Sequence, residues 1–348
     1  MTTQLLTNLP AEEYHALDAL SATGIKMLHA GPLDYWFYKY GSGAESEQTA
    51  AMKLGSAKHA AGLEGLEAFR AAYVPIIDKR DYEGALDSQA ELKGWCKEHG
   101  LAVGGSKGVL CDRIMGAATC VDEKPTLWMN ELSSQELDAA EKGQEILTQD
   151  EYADCLSKAK QISPIIDAMR EAGGLPEVSI LWEQDGIPCK ARLDFLAPGD
   201  AFDLKNVANS QRLPFGDLVH NTMAKMYMVI QAEFYLMAVR AAQAAGVLPF
   251  EYDGDFRFKW LFLQSAGTPN MCMRTHVERH MSMDTGLIEQ TQASTKGQKL
   301  IGEGMMLYKQ YMASHGANKP WVPELDSQDM TDLMYPFWFL SDIEEEIE

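Results

Sequence analysis

The chain lacks the short signatures by which zinc, iron–sulfur, ATP and dinucleotide proteins are usually read. Its 348 residues contain no C-x-x-C pair, no G-x-x-x-x-G-K-[ST] loop and no G-x-G-x-x-G turn. The six cysteines (Cys96, Cys111, Cys120, Cys155, Cys189 and Cys272) are scattered. That spacing argues against a zinc site, a disulfide framework or a four-cysteine iron–sulfur cluster, and for free thiols in a reducing compartment. Without the glycine loops, no nucleotide cofactor is expected. No run approaches the roughly 18 apolar residues of a membrane span. The opening residues, MTTQLL, lack the basic-then-apolar pattern of a signal peptide. The expectation is a cytoplasmic protein with no membrane partner. Positive charge is scarce as well: 30 Lys and Arg stand against 51 Asp and Glu, a net charge of −21. Repulsion of that size opposes approach to a polyanion, so any nucleic-acid binding must use a locally basic channel.

What is present is ample apolar content, 46% of residues. The length allows one large α/β domain with insertions or two modest domains. Ser21 and Pro32 predict the starts of two short helices, and 42–50 reads as a polar loop. A helical period over 51–73 turns Leu54, Ala57, Ala61, Leu63, Leu66 and Phe69 inward. Residues 131–173 read as helical and polar up to Gly173-Gly174. Strands are expected at 178–181 and 191–196, joined by a hairpin turn at Asp185-Gly186, with a third over 201–205. A long helix follows at about 221–245, then strands at 256–264 and 270–277, a last helix at 282–314 and irregular chain over 321–338. The 19 methionines read as pliable core filler.

Residues 86–116 form a separate unit. Ser88 caps a helix that Gly100 stops, Gly104-Gly105 turns, and Ser106 caps a second helix. At Leu92, Gly100-Leu101, Ser106-Lys107 and Leu110 the unit resembles a SAP motif, a small helix–extended–helix DNA-binding element. Lys93, Lys97, Lys107 and Arg113 are its candidate phosphate contacts; a hairpin that merely packs on the main domain is the alternative.

The chemistry concentrates in Asp194, then Asp203-Leu204-Lys205. Asp203 and Lys205 are two apart, so on a strand both point to one face. Phosphodiester hydrolysis uses that arrangement. Carboxylates hold Mg²⁺ ions that polarise the phosphate and activate water. A lysine beside them orients or deprotonates that water and offsets charge on the phosphorus. Leu204 faces the core, and its carbonyl offers a hard oxygen to a metal. Taken alone, the spacing equally fits a solvated hairpin with a cross-strand ion pair. Gln231 and Tyr235 lie four apart on one helix face, and Gly55-Ser56-Ala57-Lys58-His59 puts a histidine on a helix. Glu177 reads as structural, with an extra acidic contribution as the alternative. His276 and His280, four apart, read as strand turning into helix without a metal.

These motifs, in this order, resemble the RecE/exonuclease VIII branch of the PD-(D/E)xK (RecB-type) superfamily: G-[ST]-x-x-H, an aspartate on a strand, [DE]-x-K on the next, and Q-x-x-x-Y. Text at 21–26, 63–73, 177–182 and 189–194, and at Trp321 and Pro336-Phe337-Trp338, is similar too. The likeness covers about 14–338, interrupted by the SAP-like insert. It implies an α/β fold: a PD-(D/E)xK nuclease core, with a central mixed sheet flanked by helices and helical insertions. The expected division is 1–80 for the N-terminal part of the nuclease domain with the histidine motif, 86–116 for the insert, 117–338 for the nuclease core and 339–348 for an acidic tail. The resemblance also implies Mg²⁺, replaceable by Mn²⁺, on His59, Asp194 and Asp203, with Lys205 catalytic and Gln231 and Tyr235 lining the site. The implied activity is degradation of one strand of linear double-stranded DNA, 5′ to 3′, by a ring-shaped homo-oligomer in phage-type single-strand-annealing recombination. Asn206 departs from the pattern, standing where threonine is common. Two alternatives stay open: a structure- or site-specific endonuclease on the same fold, and a non-catalytic DNA-binding or assembly protein. The acidic end is either a solvated tail or a docking site for a single-strand annealing protein.

Overall fold

A computed structural model of the chain describes residues 2–7, 9–41, 49–117, 125–265, 267–282 and 287–322. Cys120, Pro336, Phe337, Trp338, the acidic tail and most of the 42–50 loop lie outside the described residues. The contacts divide the chain into two units, residues 1–22 with 46–301, and residues 23–45 with 302–348.

The elements run β1 (Gln4–Leu6), α1 (Ala11–Ala16), α2 (Ala22–Ala30), α3 (Pro32–Tyr40), α4 (Ala50–His59), α5 (Leu66–Ala72), β2 (Tyr73–Pro75), α6 (Gln89–Glu98), α7 (Lys107–Ala117), α8 (Trp128–Lys142), β3 (Glu145–Leu147) and α9 (Gln149–Glu171). They continue β4 (Leu175–Gln184), β5 (Ile187–Ala197), β6 (Asp200–Val207), α10 (Phe215–Lys225), α11 (Met228–Ala244), β7 (Arg257–Gln264), β8 (Met271–His276), β9 (Arg279–Met281), β10 (Ile288–Gln290) and α12 (Gln292–His315). The main sheet has the order β1-β4-β5-β6-β7-β8. β6 and β7 are parallel and the other neighbours antiparallel, so this is a mixed sheet. The helices α10 and α11 make the crossover that a parallel pair requires.

Helices flank the sheet. Ile162 and Ile166 of α9 pack with Phe195, Phe202, Leu204, Leu261 and Leu263. From the alternate residues of β6 and β7, α11 meets Asp203 through Gln231 and Phe258 through Tyr235. Strand alternation therefore puts α9 and α11 on opposite faces at β6 and β7. The β4–β5 hairpin turns where Asp185 and Gly186 adopt φ of 51° and 78°, the left-handed pair that a two-residue turn needs. Gly174 precedes it for a different reason: a Cβ there would stand 2.6 Å from Phe195 and 2.8 Å from Ala197.

Several expected boundaries move. The helical stretch 131–173 splits into α8 and α9, with Gly143 at φ 66° closing the first. A capping box of Thr148 and Glu151 opens the second. Pro164 sits inside α9, where its missing N–H frees the Lys160 carbonyl, and Ser163 Oγ donates to that carbonyl at 3.2 Å. The long helix at 221–245 breaks at Tyr227, φ 47°. The last helix begins at Gln292, not 282, because 288–290 pairs with 279–281 as a small hairpin. His280 consequently lies on a strand. Leu66, expected inside, is 40% exposed, because a π-turn over Ala60–Glu64 and Gly65 at φ 113° change the helical phase. Ala57, Ala61, Leu63 and Phe69 are buried as expected.

In the second unit, Trp321 is fully buried among Tyr35, Tyr40, Tyr308 and Tyr311. Its indole donates to Gly316 O, and Trp36 donates to Ala317 O. Among the described residues no helix is long and apolar enough to cross a membrane.

Candidate active site

Three carboxylates fall in one row across three adjacent strands. The β4–β5 register steps from Pro176↔Phe195 to Val178↔Leu193, which leaves Glu177 opposite Asp194. The β5–β6 ladder stops at Phe195↔Phe202, one step before Asp194 would meet Asp203. Like charges placed directly opposite destabilise a sheet, and the backbone yields at both places. Glu177 takes φ 51°. On the other side Asp194 Oδ2 accepts from Leu204 N at 2.6 Å, in place of a strand–strand bond. The result is a notch in the middle of the sheet.

Asp203 is 2% exposed. Its Oδ1 accepts from Lys205 Nζ and from Gln231 Nε2, each at 2.7 Å. Its Oδ2 lies 2.6 Å from the Lys205 ammonium yet receives no aligned hydrogen bond. Tyr235, one turn beyond Gln231, has its phenol pushed well above its ordinary range by burial and then by Tyr14, Asp203 and Asp194, so it stays neutral. Burial alone would lower the Lys205 pKa, but Asp203 and Asp194 outweigh it and hold the amine above its ordinary value. In the metal-free protein these carboxylates hold Lys205 in its charged form.

His59 comes from the C-terminal end of α4. Its Nε2 stands 3.1 Å from Leu204 O, and since a carbonyl only accepts, Nε2 carries the proton. Its Nδ1 faces Asp194 Oδ2 at 3.6 Å, a nitrogen and a carboxylate oxygen that a shared cation would join. One ligand atom each from His59, Glu177 and Asp194 lies within 4.8 Å of the others. Arg192 Nε donates to Glu177 Oε2 at 2.7 Å, fixing that carboxylate from behind. Desolvation, then the Asp203 and Glu177 charges, raise Asp194 to about 6 against the pull of His59 and Lys205. Glu64 is raised as well, by desolvation first and Glu177 second. Excess buried negative charge and a convergent N,O,O donor set fit a divalent cation.

Of the residues expected at the site, His59, Asp194, Asp203, Leu204, Lys205, Gln231 and Tyr235 come together. The Leu204 carbonyl, expected as a metal oxygen, accepts from His59. The surprise is Glu177. The hairpin centre at Asp185-Gly186 was the signal that could have found it, because folding the chain there sets residue 177 against residue 194. His276, outside this group, pairs with buried Glu233 at 2.6 Å.

Lys93, Lys97, Lys107 and Arg113 lie in the α6–α7 unit, around a core of Leu92, Cys96, Leu110, Cys111, Ile114 and Leu127. Ser88 and Glu91 form a capping box at its start. Lys107 pairs with Asp87, and Arg113 donates to the Ala102 and Gly104 carbonyls. Lys93 and Lys97 are exposed, four apart on α6.

Residues 88–118 match the SAP domain family. No curated protein matches the chain. Two solved structures are similar over much of the chain at low scores. One, from Eubacterium rectale and described as a candidate exonuclease, is 13% identical and covers 76% of this chain and 94% of its own, with a TM-score of 0.32. The other, SSO0001, is 14% identical and covers 62% and 84%, with a TM-score of 0.24. Neither score defines the fold, which rests on the sheet and helices described above.

Proposed function

We propose that the chain is a divalent-cation-dependent deoxyribonuclease, and that its activity is exonucleolytic removal of nucleotides from one strand of linear duplex DNA. The observation that carries this reading is the notch where Glu177, Asp194 and Asp203 line up across three strands, with Lys205 bonded to the last. His59, Glu177 and Asp194 would hold Mg²⁺ or Mn²⁺, with the Asp203 carboxylate next in the row. A bound cation of this kind polarises a phosphoryl oxygen and lowers the pKa of water.

The chain's own residues do the positioning. Gln231 locks the Asp203 carboxylate in one rotamer, and Arg192 does the same for Glu177. Lys205, held cationic, stabilises negative charge as it grows on the phosphate oxygens. Tyr235, held neutral, offers a phenolic hydrogen bond to the same group. The SAP-matched helices would supply DNA contact through the exposed Lys93 and Lys97.

The 5′-to-3′ direction, the ring-shaped assembly and a role in strand-annealing recombination follow from the RecE-like motif order and belong to this proposal. Linear duplexes labelled at the 5′ or the 3′ end, incubated with Mg²⁺ or Mn²⁺, test it. Label release from the 5′ end first, with covalently closed circles left intact, is the expected result. Cutting of closed circles would establish the endonuclease reading instead.

A further inference from the structure

We infer that Tyr227 and Lys296 form a stacking site for an unpaired base of a DNA strand; this rests on the DNA reading proposed above. Tyr227 takes φ 47° and ψ 48° at the point where α10 ends and α11 begins. Its N–H donates to Ala224 O at 3.2 Å, and its carbonyl accepts from Ile230 N at 3.0 Å, so the residue closes one helix and opens the next. Glycine takes that left-handed position freely, whereas a tyrosine there is strained. A side chain packed into the core could offset the strain, but Tyr227 is 50% exposed and Met226 before it 52%. Strain of this kind, held in place with its side chain at the surface, points to a ligand.

What the ring meets says which ligand. Lys296 Nζ lies over it, 5.8 Å from the centroid, within cation–π range. A Cβ at Gly297 would stand 2.8 Å from Val229 Cγ2 and 3.1 Å from Val229 O. That glycine lets α12 close on the first turn of α11 and sets Lys296 beside Tyr227. Lys296 is exposed, and so is Lys225, two residues before the tyrosine. An exposed aromatic ring with ammonium groups close by is the combination that holds single-stranded nucleic acid: the ring stacks a base and the cations meet phosphates. The ring also stands close to the notch along the helix. Tyr227 and Gln231 are four residues apart on α11, about one turn, and Gln231 Nε2 bonds Asp203 Oδ1 at 2.7 Å. A strand whose scissile phosphate lay at Asp203 would bring a neighbouring nucleotide alongside Tyr227, and its base stacks there only when it is unpaired.

The experiment measures equilibrium binding of the full-length protein, in Ca²⁺ and over a series of salt concentrations, to an oligothymidine strand and to a blunt duplex. Tyr227→Gly removes the ring and suits the left-handed backbone. It should melt no lower than wild type, yet bind the single strand about five- to tenfold more weakly. Tyr227→Phe keeps the ring and should bind as wild type does. Lys296→Gln should weaken single-strand binding about threefold and lower the slope of log K against log salt by about 0.7. Affinity for the blunt duplex should change less than twofold in every variant. Tyr227→Asn, which also tolerates the left-handed region, serves if the glycine variant does not fold. Unchanged single-strand affinity in a folded variant without the ring would overturn the inference, as would an equal loss on the blunt duplex. Loss of self-association with DNA binding unchanged would also overturn it and give the patch to a second copy of the chain. Failure of the nuclease reading would appear separately, as ring-dependent binding of the single strand without nucleotide release from linear duplex.

Discussion

The notch in the main sheet and the α6–α7 unit treat charge in opposite ways. In the notch, Glu177, Asp194 and Asp203 converge and the backbone departs from ladder geometry at two positions. In the α6–α7 unit nearly every polar group is answered locally. Ser88 and Glu91 cap each other, Asp87 takes Lys79 and Lys107, and Arg113 and Gln89 hold the connecting loop. One region gathers buried negative charge, while the other keeps a rigid shape with Lys93 and Lys97 exposed on α6. Where a fold tolerates electrostatic conflict at its centre, that conflict marks chemistry.

The largest effect should come from breaking the notch. Lys205→Ala is expected to reduce cleavage by about 10³-fold or more, with the circular dichroism spectrum unchanged, because the side chain contributes charge and no core packing. Next comes Asp194. Its carboxyl is raised from 3.8 to about 6, so the folded protein binds this proton more tightly than the unfolded chain does. The metal-free protein should therefore lose stability as pH rises through that window. A cation that neutralises the ionised carboxylate works the other way. Mg²⁺ or Mn²⁺ should raise the melting temperature more at pH 7.5 than at pH 5, and Asp194→Asn should remove that dependence while stabilising the metal-free protein.

Smaller effects are expected in the helical unit. Replacing Lys93 and Lys97 together by alanine should weaken DNA binding several-fold, with a salt slope lower by up to two, and leave the cation-dependent thermal shift intact. Ser88→Ala should cost about 1 kcal/mol of local stability, read as faster amide exchange in α6. If that substitution altered cleavage as much as Lys205→Ala, the contrast between the two regions would be wrong.

The elements with strong local chemistry were legible in the sequence. Asp185-Gly186 announced its hairpin, Ser88 and Ser106 their helices, and the alternation of Asp203 with Lys205 their common face. Tyr227 was not legible, because a left-handed tyrosine carries no turn residue to signal the break between α10 and α11. The split at Gly143 was signalled, with Thr148 and Glu151 behind it, but polar helical text on both sides hid it. The site was read as residues that belong together, yet its geometry depends on where two ladders fail. That is a property of three strands at once.

The most direct test of the central claim is nucleotide release from linear duplex DNA by wild-type protein and by Asp203→Asn, each with Mg²⁺ and with EDTA. The account predicts release only by wild type and only with the cation. Release that persists in EDTA, or equal release by Asp203→Asn, would contradict it.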